Sequence, residues 1–326
     1  MPLDNYPEKA EPRAIVLKGL TPCARWLCLA LLIYSLAGSA WAQQRGEIAV
    51  TVDDLPTHGP MPAGMTRSEI ARNMIAAFKA ADVPPVYGFV NASKLDTSWD
   101  KANVLKLWTN AGFLLGNHTY SHMDLTKNTA AAFEEDVAMD EGTLEGFMGD
   151  RDWHWFRYPY LNEGDTLEKR HAIRKYLSEH GYKVAQVTID FQDWAWNDPY
   201  ARCMDKHDLQ TVDWLKSSYL AMATEYVSFG QKMAVMLFGR DIRHVLLLHI
   251  GAFDSVMLPS LLDSLRKQGI ALISLQQAEE DPAYQTDTNA ALSTGGTLLE
   301  QMVESKHLDY PPHADEPLQK LDSVCR

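Results

Sequence analysis

Apolar residues in this chain come in short runs separated by longer amphipathic stretches. Seven runs have the length and composition of buried β-strands: 47–53 (EIAVTVD), 85–90 (PVYGFV), 112–116 (GFLLG), 153–156 (WHWF), 183–189 (KVAQVTI), 244–249 (HVLLLH) and 271–275 (ALISL). Most are separated by helical patterns, among them 67–83, 130–148, 166–181 and 257–269. Gly112, Gly181 and Gly269 stand where a helix must end before a strand begins. The alternation predicts a parallel sheet covered by helices, either closed into a barrel or open. Residues 208–240 are longer than an ordinary helix and are expected to hold two. From Asp281 onward the chain is polar and rich in turn formers, which predicts a loosely structured extension wrapping the domain.

One apolar run does not fit this scheme. Residues 26–40 (WLCLALLIYSLAGSA) follow Lys18 and Arg25 and end at Ala40-Trp41-Ala42. A basic segment, an apolar run too short to span a bilayer comfortably and a small-x-small site predict a secretory signal peptide cut after Ala42. The expected organisation is therefore a signal over 1–42, a main domain over 43–280 and a C-terminal extension over 281–326. The product is expected to be exported, periplasmic or secreted, with no membrane attachment after cleavage. Export leaves only Cys203 and Cys325, which can pair in an oxidising compartment; we expect a disulfide that pins the tail. The 326 residues are 46% hydrophobic with a formal net charge of −13, and no basic block stands out, which argues against nucleic acid as a partner.

Candidate chemistry gathers at the ends of the predicted strands. The first ends on Asp53 and Asp54. Side chains alternate along a strand, so adjacent acids serve one cleft only if the chain turns there. The third runs into His118 and His122, the fourth into Arg157, the fifth into Asp190, Asp193 and Trp194, and the sixth finishes on His249. In a parallel α/β barrel these ends share one rim, where active sites sit. His118 and His122 are four apart, and with the Asp54 carboxylate they make an open ligand set suited to a catalytic zinc ion.

Five motifs in order make the pattern specific: Thr51-Val52-Asp53-Asp54, His118-Thr119-Tyr120-Ser121-His122, Arg157-Tyr158-Pro159-Tyr160, Asp190 to Trp194, and Leu246-Leu247-Leu248-His249. In these the chain resembles the polysaccharide deacetylase family, carbohydrate esterase family four. The resemblance implies a distorted seven-stranded (β/α) barrel and a metal-dependent deacetylase. It implies Asp53 as general base, Asp54, His118 and His122 as ligands of a divalent metal, most simply zinc, and Arg157 as the residue that orients the base. It further implies His249 as general acid with Asp193 as its charge partner, the Tyr160 backbone N–H as an oxyanion donor and Trp194 as an apolar wall. Leu55-Pro56 and Leu161 stand where the family often has glycine, which bears on the rim and the substrate rather than the chemistry.

The expected substrate is an acetylated carbohydrate: an N-acetylated glycan of the peptidoglycan or chitin type. Alternatives are O-deacetylation of xylan or another polysaccharide, amide or imide hydrolysis on a small molecule, and a non-enzymatic glycan-binding module. Trp153, Trp155 and Trp196 are read mainly as core, His58 as a loop histidine, and Arg202, Asp205 and Asp208 as solvated surface.

Overall fold

The computed structural model describes residues 46–95 and 99–326. The signal-peptide stretch lies outside the described residues. Seven parallel strands form one sheet: β1 (Gly46–Leu55), β2 (Tyr87–Val90), β3 (Leu114–Asn117), β4 (Trp155–Phe156), β5 (Lys183–Val184), β6 (Arg243–His249) and β7 (Ile270–Ile273). The pairing order is β5-β4-β3-β2-β1-β6, and β7 pairs with the first half of β1. β6 runs in register along β1 from Glu47↔Arg243 to Asp53↔His249.

The sheet curls back on itself through the chain that follows β5. Lys183 and Val184 pair with β4, whereas Ile189 bridges to Leu246 on β6. Residues 183–189 thus link both ends of the strand order and close the ring. The ladder fails between these points: Gln186 N donates to the Glu279 carboxylate and the Val187 carbonyl accepts from Leu298 N. This seam is the distortion of the expected seven-stranded (β/α) barrel.

Alternation along the strands produces two apolar layers. Ile48, Val50 and Val52 of β1 and Leu246 and Leu248 of β6 face the helices. Ala49, Tyr87, Phe89, Trp155, Ala185 and Val245 fill the barrel interior, which Leu275 and Ala278 of a short helix after β7 (Leu275–Glu279) plug. The inward stripe therefore reads Ala49-Thr51-Asp53 on β1 and Val245-Leu247-His249 on β6. It turns from apolar to chemical at the C-terminal rim.

The main covering helices are α1 (Arg67–Ala80), α2 (Trp99–Asn110), α3 (Ala130–Met148), α4 (Leu167–Glu179), α5 (Asn197–Asp205), α6 (Leu209–Phe238) and α7 (Ala252–Lys267). Gly112, Gly181 and Gly269 follow α2, α4 and α7 with positive φ. The two helices expected in 208–240 are one: α6 runs 30 residues. Its buried Val212, Leu215, Tyr219, Met222, Tyr226, Phe229 and Met233 keep an unbroken three-and-four spacing, so nothing ends the helix before Gly239. α7 starts earlier than its pattern suggested and carries Pro259 inside.

The tail is more ordered than its composition suggests. After Leu275–Glu279 (α8) it forms α9 (Leu298–Ser305) and α10 (Leu318–Ser323), with Leu298, Leu299, Met302, Val303 and Leu321 buried. Cys203 and Cys325 form a disulfide that ties its end to α5.

Candidate active site

β1 ends where its backbone leaves the extended region. Asp54 has φ 71, a left-handed conformation that Asp tolerates better than most residues. The turn swings Asp54 toward the face its neighbour already occupies, so both carboxylates reach one cleft. Thr119, His122, Tyr160, Leu161 and Gln192 also have positive φ, and they surround the same cleft or the loop that feeds it. Such clustering of uncommon backbone is typical of functional rims.

Asp53 is buried and gripped. Arg157 Nη1 donates to both its oxygens at 3.1 and 3.2 Å, while Nη2 donates to Thr51 Oγ1 at 3.0 Å and Nε to the Ala185 carbonyl at 2.7 Å. The guanidinium stacks over the Phe89 ring, with its carbon 4.6 Å from the centroid. Burial pushes the Asp53 carboxyl up to about 6, against the lowering pull of Arg157 and His249.

The loop after β3 is held so that both its imidazoles face Asp54. Asn91 Nδ2 donates to the carbonyls of His118 and Thr119, and Ser121 donates through N and Oγ to Asp136 on α3. His118 Nδ1 lies 2.8 Å from the Arg157 carbonyl, which can only accept, so the Nδ1 proton is fixed there and Nε2 presents a lone pair. Burial drives the His118 imidazole well below its usual range and that of His122 down to about 4, so both are neutral. Ligand atoms of Asp54, His118 and His122 lie within 4.8 Å of one another. Two neutral imidazoles and one ionised carboxylate fit a divalent transition metal.

Asp54 itself has two further partners. His58 Nδ1 donates to Oδ2 at 2.7 Å, and Lys94 Nζ lies 2.7 Å from Oδ1, the oxygen that also faces His122 Nε2 at 3.6 Å. Burial raises the Asp54 carboxyl, but His58, Lys94 and His122 overcome it and hold it well below the usual range. His58, expected to be a plain loop histidine, is thus part of the site, and its ring lies 4.9 Å from that of His249. Lys94 had no sequence signal beyond following a predicted strand.

His249 stands beside Asp53 in register but turns to a different partner. Its Nδ1 donates to Asp193 Oδ1 at 2.8 Å and its backbone N to Oδ2 at 2.7 Å. Burial disfavours the imidazolium, yet Asp193, with Asp54 and Asp53, raises it to about 10. Behind Asp193 lies Asp254, which Tyr219 Oη reaches at 2.8 Å; burial and Asp193 raise its carboxyl well above the usual range, so it is protonated. That back support was not identified from sequence.

The remaining expected residues take different places. Tyr160 is exposed, with its ring 4.5 Å from that of His122. Trp194 is 42% exposed and lines the cleft, whereas Trp153, Trp155 and Trp196 are buried. Asp190 also lines the cleft, its carboxyl raised to about 7 by burial. Arg202, expected on solvated surface, instead donates to the carbonyls of Leu321 and Val324 and so clasps the tail.

Residues 42–185 match the polysaccharide deacetylase family. The matched stretch holds the first three of the five motifs, through Arg157-Tyr158-Pro159-Tyr160, and bears out the resemblance to that family. Two curated relatives are similar to part of this chain. A chitin deacetylase of Arthroderma benhamiae is 29% identical over 106 residues, 32% of this chain and 27% of that protein. A peptidoglycan-N-acetylglucosamine deacetylase of Bacillus cereus is 26% identical over 152 residues, 46% of this chain and 47% of that protein. The match therefore spans less than half the length of either relative. Among solved structures, an activity-restored mutant of a family 4 carbohydrate esterase pseudoenzyme from Bacillus anthracis is similar with a TM-score of 0.50 at 14% identity, covering 72% of this chain and 68% of that one. That likeness is one of fold. The family match ends at residue 185, so the Asp193 and His249 half of the cleft lies beyond it.

Proposed function

We propose that the protein is a metal-dependent hydrolase that removes acetyl groups from an N-acetylated glycan of the chitin or peptidoglycan type. One observation carries the reading. A buried Asp53 gripped by Arg157 adjoins the Asp54, His118 and His122 cluster, with the His249–Asp193 pair at the neighbouring strand end. The names of the two curated relatives support the substrate class.

A divalent ion, zinc by its preference for imidazole and carboxylate, would be held by Asp54, His118 and His122, would lower the pKa of a water toward about 7 and would polarise the acetyl carbonyl. Asp53, ionised above about pH 6, takes the proton of the attacking water, and Arg157 keeps its carboxylate aimed. The Tyr160 backbone N–H is the donor assigned to the developing oxyanion. His249, protonated through Asp193, gives its Nε2 proton to the departing sugar nitrogen as the carbon–nitrogen bond breaks. Trp194 offers its exposed face to the acetyl methyl or to a sugar ring.

We propose, further, that the protein is exported. The Cys203–Cys325 disulfide supports an oxidising compartment.

Acetate release from N-acetylated chitin oligosaccharides, peptidoglycan and O-acetylated xylan tests the reading. The expected result is acetate from the N-acetyl substrates, lost on chelation and restored by zinc. Acetate from xylan alone would favour the O-deacetylase alternative. No acetate from any of them would overturn the reading.

A further inference from the structure

The tail reaches the barrel where its ladder fails. At the seam, Leu298 N donates to the Val187 carbonyl at 2.8 Å, and α9 buries Leu298, Leu299, Met302 and Val303 beyond it. Just before α9 the chain passes over the rim at Gly295 and Gly296. A Cβ on Gly295 would lie 1.7 Å from the Tyr160 carbonyl oxygen, so only glycine permits this contact with the loop after β4. Past α9 the chain returns to the other side of the seam, where Glu316 accepts from Gln192 Nε2 at 3.0 Å. His313 stacks on Phe229 of α6 with ring centroids 4.0 Å apart. The disulfide and the Arg202 clasp then fix the end of the strap.

The result is a wall. Gly295, Gly296, Glu300 and Glu316 line the same cleft as Asp53, His118 and His249. Its volume is about 620 Å³, within the ~300–1,000 Å³ of a small-ligand pocket. A site that works along a long polymer needs an open path on both sides of the reacting sugar. Here the tail occupies the sector from Tyr160 to Gln192, on the seam side. We infer that the tail converts the cleft into a cup that takes the end of an acetylated glycan chain or a short oligosaccharide, and that it excludes the internal sugars of long chains. The inference rests on the deacetylase reading and adds to it the size and end-on entry of the substrate.

The test is a series of N-acetylglucosamine oligosaccharides from dimer to hexamer, with products sequenced by mass spectrometry. The expected product has lost acetyl from one terminal sugar, and kcat/KM changes by no more than roughly twofold from trimer to hexamer. Loss of internal acetyl groups, or a rise of roughly tenfold with length, would overturn the inference while leaving the deacetylase reading standing. No acetate from any glycan would overturn both. The Cys203→Ser/Cys325→Ser/Arg202→Ala variant removes both ties at the end of the strap that carries Glu316, and internal deacetylation of the hexamer is expected to appear. A terminal-only pattern in that variant, with a native circular dichroism spectrum, would overturn the role of the tail. If the variant does not fold, the wild-type product pattern decides.

Discussion

The carbonyl of Arg157 fixes the tautomer of His118, at 2.8 Å from Nδ1, while the guanidinium of the same residue grips Asp53. One residue therefore orients both the proposed base and a proposed metal ligand, the first through its side chain and the second through its backbone. Side-chain substitution separates the two roles.

Arg157→Lys keeps a charge but loses the fork that also reaches Thr51 and Ala185. Turnover is expected to fall by about two orders of magnitude or more, with metal content unchanged by atomic absorption. Asp53 would lose part of the cation that lowers its pKa, so the acid limb of kcat/KM should move to higher pH. An unmoved limb would separate Arg157 from the base.

The rate should follow a bell. Asp53 is needed ionised, so activity rises as pH passes about 6; His249 is needed protonated, so activity falls as pH approaches about 10. Asp193→Asn removes the main group that raises His249, and the alkaline limb should then move down. The check is kcat/KM across pH for both proteins on one glycan substrate.

Metal and base should come apart by mutation. His122→Ala is expected to abolish both bound metal and activity. Asp53→Asn should retain metal and lose about three orders of magnitude or more in turnover, a cost typical of removing a general base together with its charge. Full activity in metal-free protein would remove the assignment of Asp54, His118 and His122.

Lys94 shares Asp54 Oδ1 with the space a cation would occupy. Lys94→Met should therefore tighten divalent-ion binding, by about tenfold for an interaction of ~1.4 kcal/mol. Competition with a chromophoric chelator measures this directly. Weaker binding would instead show that Lys94 serves to orient Asp54.

Protein lacking residues 1–42 should show no free thiol when denatured without reductant and two after reduction. Closing a loop of 122 residues stabilises by about 4–5 kcal/mol in the chain-entropy model, and engineered cases often give less. Melting with and without reductant reads the difference.

The parts legible in the sequence are those with local causes. Strands β1 and β6 are long enough for alternation to show, and their inward stripes end on Asp53 and His249. β4 and β5 are two-residue ladders, and β5 stops short of the 183–189 that its composition predicts because the seam takes its hydrogen bonds from Glu279 and Leu298. α6 is one helix where length suggests two, because its buried spacing never breaks. His58 and Lys94 follow β1 and β2 and Asp254 sits in the first turn of α7; none carries a motif, and only the folded chain brings them to Asp54 and Asp193. The tail's place on the rim depends on contacts far apart in sequence, such as Gln192 with Glu316, which polar composition conceals.

The register of β6 on β1 has a consequence for the order of folding. Asp53 and His249 are neighbours only when the sixth strand closes against the first, and Thr51 already reaches Leu246 across 195 residues. Such distant closure is slow beside the formation of local helices. Until β6 has closed on β1, Asp53 has no imidazole beside it at the strand end. The strand that completes the sheet thus also completes the Asp53–His249 pair, so activity cannot precede the closure of β6 on β1.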